Sequence, residues 1–425
     1  MQPKGLAEWL EHWTYTSQGK VIDLGLERIG QVVKKMGWEI KVPIFLVGGT
    51  NGKGSTCAFL SSIYRQAGYR VGTFFSPHLW RYNERICIDG QAVSDEVIIA
   101  AFEMIECKRG SIELTFFEVN TLAAMLIFLA QHVEVIILEV GMGGRLDAVN
   151  VFEPDVSIVT NVHLDHQEYL GDTREEIGYE KAGIFRAKQP AIVGEKDPPR
   201  KLLEHIATIG AVEYRLGIGY SYKVLGEQWS FYFHPIHEGG HIAHQWHALP
   251  LPILRGSYQL ANAAVALCAL SCLYQRLPVD LGAIKKGLIN VVHPGRFQIL
   301  PNRPMVVLDV GHNPHAISEL KKNLAFLPFA PKKIAVFSML ADKDIRGVVR
   351  LLKNEFQLWC IATLNTERAL PCARIREILI SEGITSVESF ASIKDAYHYA
   401  KGIVSPEDQI VVFGSFFTVS EIMDA

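Results

Sequence analysis

The sequence has no apolar run long enough to cross a bilayer: its longest, Leu122 to Ala130, falls far short of the roughly 20 residues a membrane helix needs. Its first residues, Met1-Gln2-Pro3-Lys4-Gly5-Leu6-Ala7-Glu8-Trp9, lack the basic head and apolar core of a secretory signal. The seven cysteines, Cys57, Cys87, Cys107, Cys268, Cys272, Cys360 and Cys372, are odd in number and lack the short repeated spacings of a disulfide framework or a zinc ribbon. They read as reduced thiols of a cytoplasmic protein. Neither sign of charge dominates, with 42 basic against 45 acidic residues and a net charge of −3. No overall field therefore favours nucleic acid or an anionic membrane, and a small molecule is the expected partner. There is no fixed-period repeat and no low-complexity tract. What is present is a globular balance, 49% hydrophobic and 20% charged, over 425 residues. That length exceeds one ordinary core and predicts two or three domains.

Apolar patterning predicts an α/β protein with parallel sheets. The strand Ile44 to Val47 leads through a glycine-rich turn into a helix from Thr56 to Ala67. Strands follow at 70–75, 133–139 and 156–160, with a helix at 116–130 between the first two. Strands alternating with helices imply crossovers and a sheet covered on both faces. From Tyr214 to Leu254 the texture becomes aromatic and alternating, a β-rich excursion, and a long helix runs from Ser257 to Tyr274. Beyond His293-Pro294-Gly295-Arg296 the alternation resumes: strands 305–309, 333–337 and 409–413, helices 314–327 and 345–353. A boundary near Pro294 divides the chain into 1–293 and 294–425, a P-loop-containing parallel-sheet domain and a smaller Rossmann-like α/β domain.

The turn Gly48-Gly49-Thr50-Asn51-Gly52-Lys53-Gly54-Ser55 joins a buried strand to a helix. Glycines there let backbone N–H groups close on a phosphate at the positive end of the helix dipole. Lys53 adds a charge for the β- and γ-phosphates, and the Ser55 hydroxyl can reach a magnesium ion or a phosphate oxygen, which is chemistry for ATP. The spacing departs from G-x-x-x-x-G-K-[ST], because Val47 stands at the first position and Gly54 separates lysine from serine. A ligase variant of the loop fits better than a generic NTPase. The plain alternative is a turn that merely connects strand to helix.

Glu139 ends an apolar strand before Gly141-Met142-Gly143-Gly144, at the carboxyl edge where parallel sheets bind ligands. It suits magnesium bridging phosphates, or else it is a solvated strand end. His163, Asp165 and His166 follow the next strand and either join it or are satisfied loop residues. Lys181 alone reads as a surface lysine on a helix. Asp309 to His315 again follows a buried strand and opens a helix with Pro314, which aims its polar groups at a cleft between domains. The histidines 234, 237, 241, 244 and 247 are dense enough for zinc. Their proline and glycines, and the lack of acidic or cysteine partners at fixed helix spacing, favour a solvated loop. Cys268 and Cys272 read as core thiols.

These segments together resemble the folylpolyglutamate synthase/dihydrofolate synthase family of the Mur-type ligase superfamily. The resemblance runs nearly end to end. It rests on the glycine loop, Ser76-Pro77-His78-Leu79 with Arg81-Tyr82-Asn83-Glu84-Arg85, Glu139 to Ala148, Leu164-Asp165-His166, Glu180 to Phe185, Pro294 to Phe297, Asp309 to His315 and Gly414-Ser415-Phe416. The resemblance implies that ATP phosphorylates a carboxylate of the folate substrate, and that the amine of L-glutamate attacks the acyl phosphate. It implies magnesium at two sites, with Ser76, Glu139 and His166 as ligands and Ser55 near the first ion. Lys181 matches a lysine that becomes carbamylated.

Further ATP contacts implied by position are Asn262, Arg296 and Asp309, beside Gly49, Thr50, Asn51, Gly52, Lys53, Gly54 and Ser55. Lys53 and Lys181 act in catalysis, and His312 and Ser415 lie near the glutamate and acyl-phosphate end. The pterin falls to Ile22, Asp23, Leu24 and Gly25, to Thr115, Phe116, Phe117 and Glu118, and to Leu146, Asp147 and Ala148. Rings stack on a flat heterocycle while an acid accepts from its N–H groups, although Phe116 and Phe117 also fit helix-core packing. Phe116 stands where tyrosine is common in the family.

The expected protein is thus a cytoplasmic monomer that adds L-glutamate to 7,8-dihydropteroate and to reduced folates with ATP, without nucleic acid or membrane partners. A monofunctional folylpolyglutamate synthase, a P-loop phosphotransferase and a nucleotide-binding module are the alternatives.

Overall fold

The strand Ile44–Gly48 (β1) is buried along its whole length, as its unbroken apolar sequence requires of a strand covered on both faces. Phe45 packs its ring 5.6 Å from that of Tyr64 on the helix Lys53–Gln66. Ile44 and Leu46 join a core with the helix Phe116–Ala130 on the opposite face. The computed structural model describes residues 3–16, 23–236, 244–301 and 303–423.

The chain forms two units, one of Met1–His78, Tyr82–Ile253 and Leu260–Val291, the other of Leu79–Arg81, Leu254–Gln259 and Val292–Ala425. The division at Val291 lies just before the expected boundary at Pro294. Two short segments that belong to the second unit, around Trp80 and Tyr258, are embedded in the sequence of the first and carry no linker-like composition that would reveal them.

In the first unit β1 lies inside an eight-stranded sheet with Val71–Phe74 (β2), Ile86–Ile88 (β3), Gln91–Ala92 (β4), Val135–Glu139 (β5), Val156–Val159 (β6), Pro190–Val193 (β7) and Val212–Arg215 (β8). The spatial order is β4-β3-β2-β5-β1-β6-β7-β8. Pairing is parallel from β2 to β8 and antiparallel for β2 with β3 and β3 with β4. Chain order reverses around β1, so its carboxyl end is a topological switch point, the place where open α/β sheets bind ligands. Register puts Val47 beside Glu139 and Gly48 beside Val159. The glycine loop, Glu139 and Thr160 therefore leave the sheet on one edge. The aromatic excursion is a separate antiparallel sheet of Tyr220–Leu225 (β9), Gln228–Phe233 (β10) and Gln245–Pro250 (β11), in the order β11-β10-β9. Phe231 stacks between Tyr220 and Trp246 at 6.0 and 5.5 Å.

The second unit carries Gln298–Leu300 (β12), Met305–Asp309 (β13), Lys333–Phe337 (β14), Leu358–Ala362 (β15), Val387–Phe390 (β16) and Gln409–Phe413 (β17). They lie in the order β12-β13-β17-β14-β15-β16, parallel except for β12 with β13. Phe337, Trp359 and Phe413 pack ring against ring at 5.0 to 5.9 Å beneath its helices. Asp309 and Phe337 both pair with Phe413, so Asp309, Ser338 and Ser415 share the carboxyl edge of this sheet.

Candidate active site

The loop after β1 is held by the segment after β6. Gly49 has φ +137° and Gly52 φ +84°, and neither has room for a side chain. A Cβ on Gly49 would stand 1.8 Å from Thr160 Oγ1, and one on Gly52 would stand 2.4 Å from Asn262 Oδ1. Thr160 Oγ1 donates to the Asn51 carbonyl at 2.6 Å. Asn161 receives the Thr50 amide on its own carbonyl at 2.9 Å, receives the Asn51 amide on Oδ1 at 3.0 Å, and donates Nδ2 to the Asn51 carbonyl at 2.9 Å. Thr50 Oγ1 bridges the carbonyl and amide of His163 at 3.1 and 3.0 Å.

The amides of Thr50 and Asn51 are thereby already taken and are not among those that can close on a phosphate. The amides at the start of the helix Lys53–Gln66, which no intrahelical acceptor reaches, are the ones left for an anion.

Lys181 is buried, at 4% exposure, which corrects its reading as a surface lysine. On the helix Arg174–Ala182 it stands four residues after Ile177, and this shared stripe is the buried face. Its Nζ donates to the Gly49 carbonyl at 3.0 Å. Burial pushes its pKa down to about 7, reinforced by repulsion from Lys53 and opposed by Asp165 and Asp147. Asp147 is pushed up to about 7 by burial, although its carboxylate accepts the amides of Met142 at 2.9 Å and Val149 at 3.1 Å and feels Lys53. An amine part-neutral near pH 7 and a carboxyl part-neutral at the same pH thus face one lysine beside the loop.

Glu139 is buried rather than solvated, at 5% exposure, and its Oε2 accepts the Ser76 amide at 3.0 Å. The hydroxyls of Ser55 and Ser76 are buried and make no hydrogen bond among the described residues. A buried hydroxyl without a partner is costly, and two of them with a carboxylate are hard oxygen donors of the kind magnesium takes. Magnesium typically completes its shell with phosphate oxygens and water. Among the described residues no three His, Cys, Asp or Glu side chains are grouped for a metal. An ion here would rest on few protein ligands, as that chemistry expects. His166 adopts φ +52° and its amide donates to Asp165 Oδ1 at 2.9 Å. Its ring is one-third exposed, at 33%.

Of the pterin candidates, Ile22 lies outside the described residues, while Asp23, Leu24 and Gly25 are half-buried. Arg28, which sequence reading missed, ties Asp23 (2.9 Å) to Glu118 (3.4 Å). Glu118 has a structural task as well: it closes a capping box in which its Oε2 accepts the Thr115 amide at 2.7 Å and Thr115 Oγ1 accepts the Glu118 amide. Phe117 packs 5.8 Å from Phe74 and closely over Gly141, so it is largely core. Phe116 instead faces Tyr82 and the guanidinium of Arg85 at 6.2 and 5.8 Å. Leu146 is half-buried and Ala148, buried, opens a short 3₁₀ turn capped by Asp147.

In the second unit Asp309 is buried and its carboxylate accepts the amides of Gly311 at 2.7 Å and Phe297 at 2.9 Å. It thereby fastens the Pro294-to-Phe297 turn to the end of β13, and burial still raises its pKa above the ordinary value. Arg296 lies with its guanidinium 4.8 Å from the Phe416 ring, and His312 has its ring 6.2 Å from the same phenylalanine. His312 Nδ1 meets the Val310 carbonyl at 2.9 Å. Ser415 caps the helix Phe416–Met423: its Oγ accepts the Thr418 amide at 3.0 Å and pairs with Thr418 Oγ1 at 2.7 Å.

His237 and His241 lie outside the described residues. His244 packs on Tyr274 and Trp246 at 4.2 and 5.4 Å, and His247 meets Ser230 Oγ at 3.2 Å. Cys268 and Cys272 are buried free thiols. No described helix is long and apolar enough to cross a membrane.

Residues 47–270 match the Mur ligase middle domain and 295–416 the Mur ligase glutamate ligase domain. The chain is 41% identical over 421 residues to the dihydrofolate synthase/folylpolyglutamate synthase of Escherichia coli, a match covering 99% of this chain and 95% of that one. Among solved structures it resembles E. coli FolC in complex with DHPP and ADP, with TM-score 0.92 and 40% identity over 100% of this chain and 98% of that one. It also resembles a bifunctional folylpolyglutamate synthase/dihydrofolate synthase with Mn, AMPPNP and L-glutamate bound, with TM-score 0.89 and 39% identity over 99% and 98% of the two chains. With the glycine loop, Glu139 and Lys181 gathered at one sheet edge and a glutamate-ligase domain following it, the chain belongs to the dihydrofolate synthase/folylpolyglutamate synthase family of Mur ligases.

Proposed function

We propose that this protein ligates L-glutamate to 7,8-dihydropteroate, forming dihydrofolate, and to tetrahydrofolates, extending their glutamate chain, each time at the expense of ATP. The observation that carries this reading is the carboxyl edge of the first sheet, where an anion-binding helix start, two unpartnered buried hydroxyls, Glu139 and Lys181 converge. A carboxylate is a poor acyl donor because its leaving group would be oxide. Transfer of the γ-phosphoryl group to a carboxylate oxygen, with release of ADP, supplies a better one. The amine of glutamate then attacks the acyl carbon, the C–N bond forms, phosphate leaves and the amine gives up a proton. Little covalent chemistry falls to the protein, so positioning and charge compensation do the catalysis.

In this reading Lys53 and the amides of Gly52, Gly54 and Ser55 receive the ATP phosphates, while Gly49, Thr50 and Asn51 shape the loop. Asn262 buttresses Gly52, Arg296 and Asp309 are further ATP contacts, and His312 and Ser415 serve the glutamate end. Ser76, Glu139 and His166, with Ser55, hold magnesium at two sites, which offsets phosphate charge when bound. Lys181 is the seat of a carbamate: its ammonium first gives up a proton, the neutral amine then adds to carbon dioxide, forming an N–C bond and releasing a second proton, and the side chain ends as an anion. Its depressed pKa supplies the neutral amine that this addition needs. The pterin falls to Asp23, Leu24 and Gly25, to Phe116 and Glu118, and to Leu146, Asp147 and Ala148. Seven free cysteines suit a reducing, cytoplasmic setting, and the enzyme acts as a monomer.

The test is ADP release coupled to a detector, with glutamate and each acceptor in turn. Turnover with both acceptors is expected. Turnover with tetrahydrofolate alone would leave a monofunctional folylpolyglutamate synthase, and ATP hydrolysis indifferent to glutamate and acceptor would overturn the reading.

A further inference from the structure

Arg85 has a placement that the roles above do not use. Register explains how it arrives. Phe74 pairs with Leu138 of β5 on one side and with Ile86 of β3 on the other. One residue further along, the Phe75 amide donates to the Arg85 carbonyl at 2.9 Å. Arg85 therefore stands at the same sheet edge as Ser76 and Glu139, two strands from the latter. The 3₁₀ turn that delivers it, Tyr82–Arg85, is pinned at both flanks: Tyr82 Oη donates to Asn120 Oδ1 at 2.7 Å, and Asn83 Nδ2 donates to the Val93 carbonyl and to Asp95 at 2.9 and 2.8 Å.

The guanidinium is aimed as well as anchored. Its Nε donates to His78 Nδ1 at 2.8 Å, so this ring nitrogen carries no proton and the imidazole acts as an acceptor. Its carbon lies 5.8 Å from the Phe116 ring and 5.9 Å from the Tyr82 ring, within cation–π range of both. The Nη nitrogens make no hydrogen bond among the described residues, and the guanidinium feels the charge of Glu139, whose Oε2 accepts the Ser76 amide. A half-buried arginine with one donor committed and its planar fork uncommitted is suited to a carboxylate, which it can take in two parallel hydrogen bonds.

We propose that Arg85 binds the acceptor's carboxylate, the group that ATP phosphorylates, through its two Nη nitrogens, and that His78 is the positioning residue that aims it. The proposal rests on the ligase reading above. Both acceptors, an aryl carboxylate in dihydropteroate and an aliphatic one in a folate, end in the same anion, so one arginine between Phe116 and the Ser76–Glu139 edge serves both. The fork also fixes which oxygen is presented to the phosphoryl group, which a lysine's single point charge would not do.

The test compares binding of pteroate with that of its carboxamide analogue, by calorimetry on the intact protein with magnesium and ADP present, alongside turnover of dihydropteroate. Wild type is expected to favour the carboxylate. Arg85→Ala is expected to weaken pteroate about 10- to 100-fold, the range of a lost charge-assisted pair, with the carboxamide changed less than roughly threefold and magnesium–ADP affinity retained, which also reports that the variant is folded. Arg85→Lys keeps the charge and is expected to recover only part of the preference. His78→Asn, which keeps an acceptor near the Nδ1 position, is expected to stay close to wild type while His78→Leu raises the KM for dihydropteroate. Equal losses for carboxylate and carboxamide, loss of nucleotide affinity instead, or no change in either variant would each overturn the proposal. A wild type that turns over no acceptor would overturn the ligase reading and this proposal with it; an active wild type with an unaltered Arg85→Ala overturns this proposal alone.

Discussion

Lys181 Nζ donates to the carbonyl of Gly49 at 3.0 Å, so a buried amine is fastened directly to the loop that would hold phosphate. Its pKa is depressed from 10.5 to about 7, and the sign of the resulting pH dependence follows from linkage. Below about 7 both folded and unfolded chains hold the proton, and the folded chain bears the full cost of a buried cation. Between about 7 and 10.5 only the unfolded chain holds it, and that cost is relieved as pH rises. In carbon-dioxide-free buffer, the stability of wild type relative to Lys181→Met is therefore expected to improve from below pH 7 toward 10.5. Urea unfolding at both ends of the window measures it, and a constant difference would show that the amine does not titrate there.

Thr160 fastens the loop with its hydroxyl as well as with its amide, which donates to the Gly48 carbonyl at 3.0 Å. Thr160→Val keeps the shape and removes the donor to the Asn51 carbonyl, a change worth about 1 kcal/mol or somewhat more. ADP affinity is expected to fall about tenfold, with Thr160→Ser restoring it. Gly49→Ala, which would drive a methyl into Thr160 Oγ1, is expected to abolish nucleotide binding altogether; titration with ADP distinguishes the three.

If the Ser76 hydroxyl is a metal donor, Ser76→Ala is expected to raise the magnesium concentration needed for half-maximal turnover by about tenfold or more, with metal-free ADP affinity unchanged. Chelation of the divalent ion is expected to stop turnover in wild type, and reloading with Mg or Mn to restore it. An unaltered magnesium requirement in the variant would remove Ser76 from the ligand set.

Ser415 is expected to show two separable effects. Its cap on the helix Phe416–Met423 makes Ser415→Ala less stable by about 1 kcal/mol. Ser415→Asn keeps a capping acceptor and is expected to regain that stability. Thermal unfolding reads the cap, and the KM for glutamate reads any contact with substrate. A drop in turnover that Ser415→Asn also repairs would assign the residue to architecture alone.

Elements with strong local signals were legible from residue types. Met305–Asp309, Lys333–Phe337 and Gln409–Phe413 fall where unbroken apolar runs end at polar residues, and Phe116–Ala130 follows a threonine–glutamate capping box. The strands Pro190–Val193 and Val387–Phe390 carry weaker signals because each is only 4 residues long. Val387–Phe390 is also largely exposed along its middle and so alternates weakly.

At the site, glycine spacing disclosed the loop, but Thr160 and Asn161 are ordinary polar residues whose meaning depends on β6 lying next to β1, a long-range fact. Lys181 illustrates the same limit. Its helical spacing from Ile177 was available, yet lysine is so seldom buried that composition argued the other way. The capping role of Glu118 was written in Thr115-Phe116-Phe117-Glu118, and its pairing with Arg28 was not.

The eight-stranded sheet also bears on how the protein behaves in crowded solution. Its two borders are β4, two exposed residues long, and β8, which carries the Glu213–Arg215 ion pair at 3.0 Å. An open sheet border is a template for pairing with another molecule, and brevity or charge there discourages it. A largely parallel sheet this wide is slow to assemble and exposes unpaired strands while it does so. Blunt borders thus guard the finished molecule against edge-to-edge aggregation, and an apolar, lengthened β4 would be the change most apt to defeat that protection.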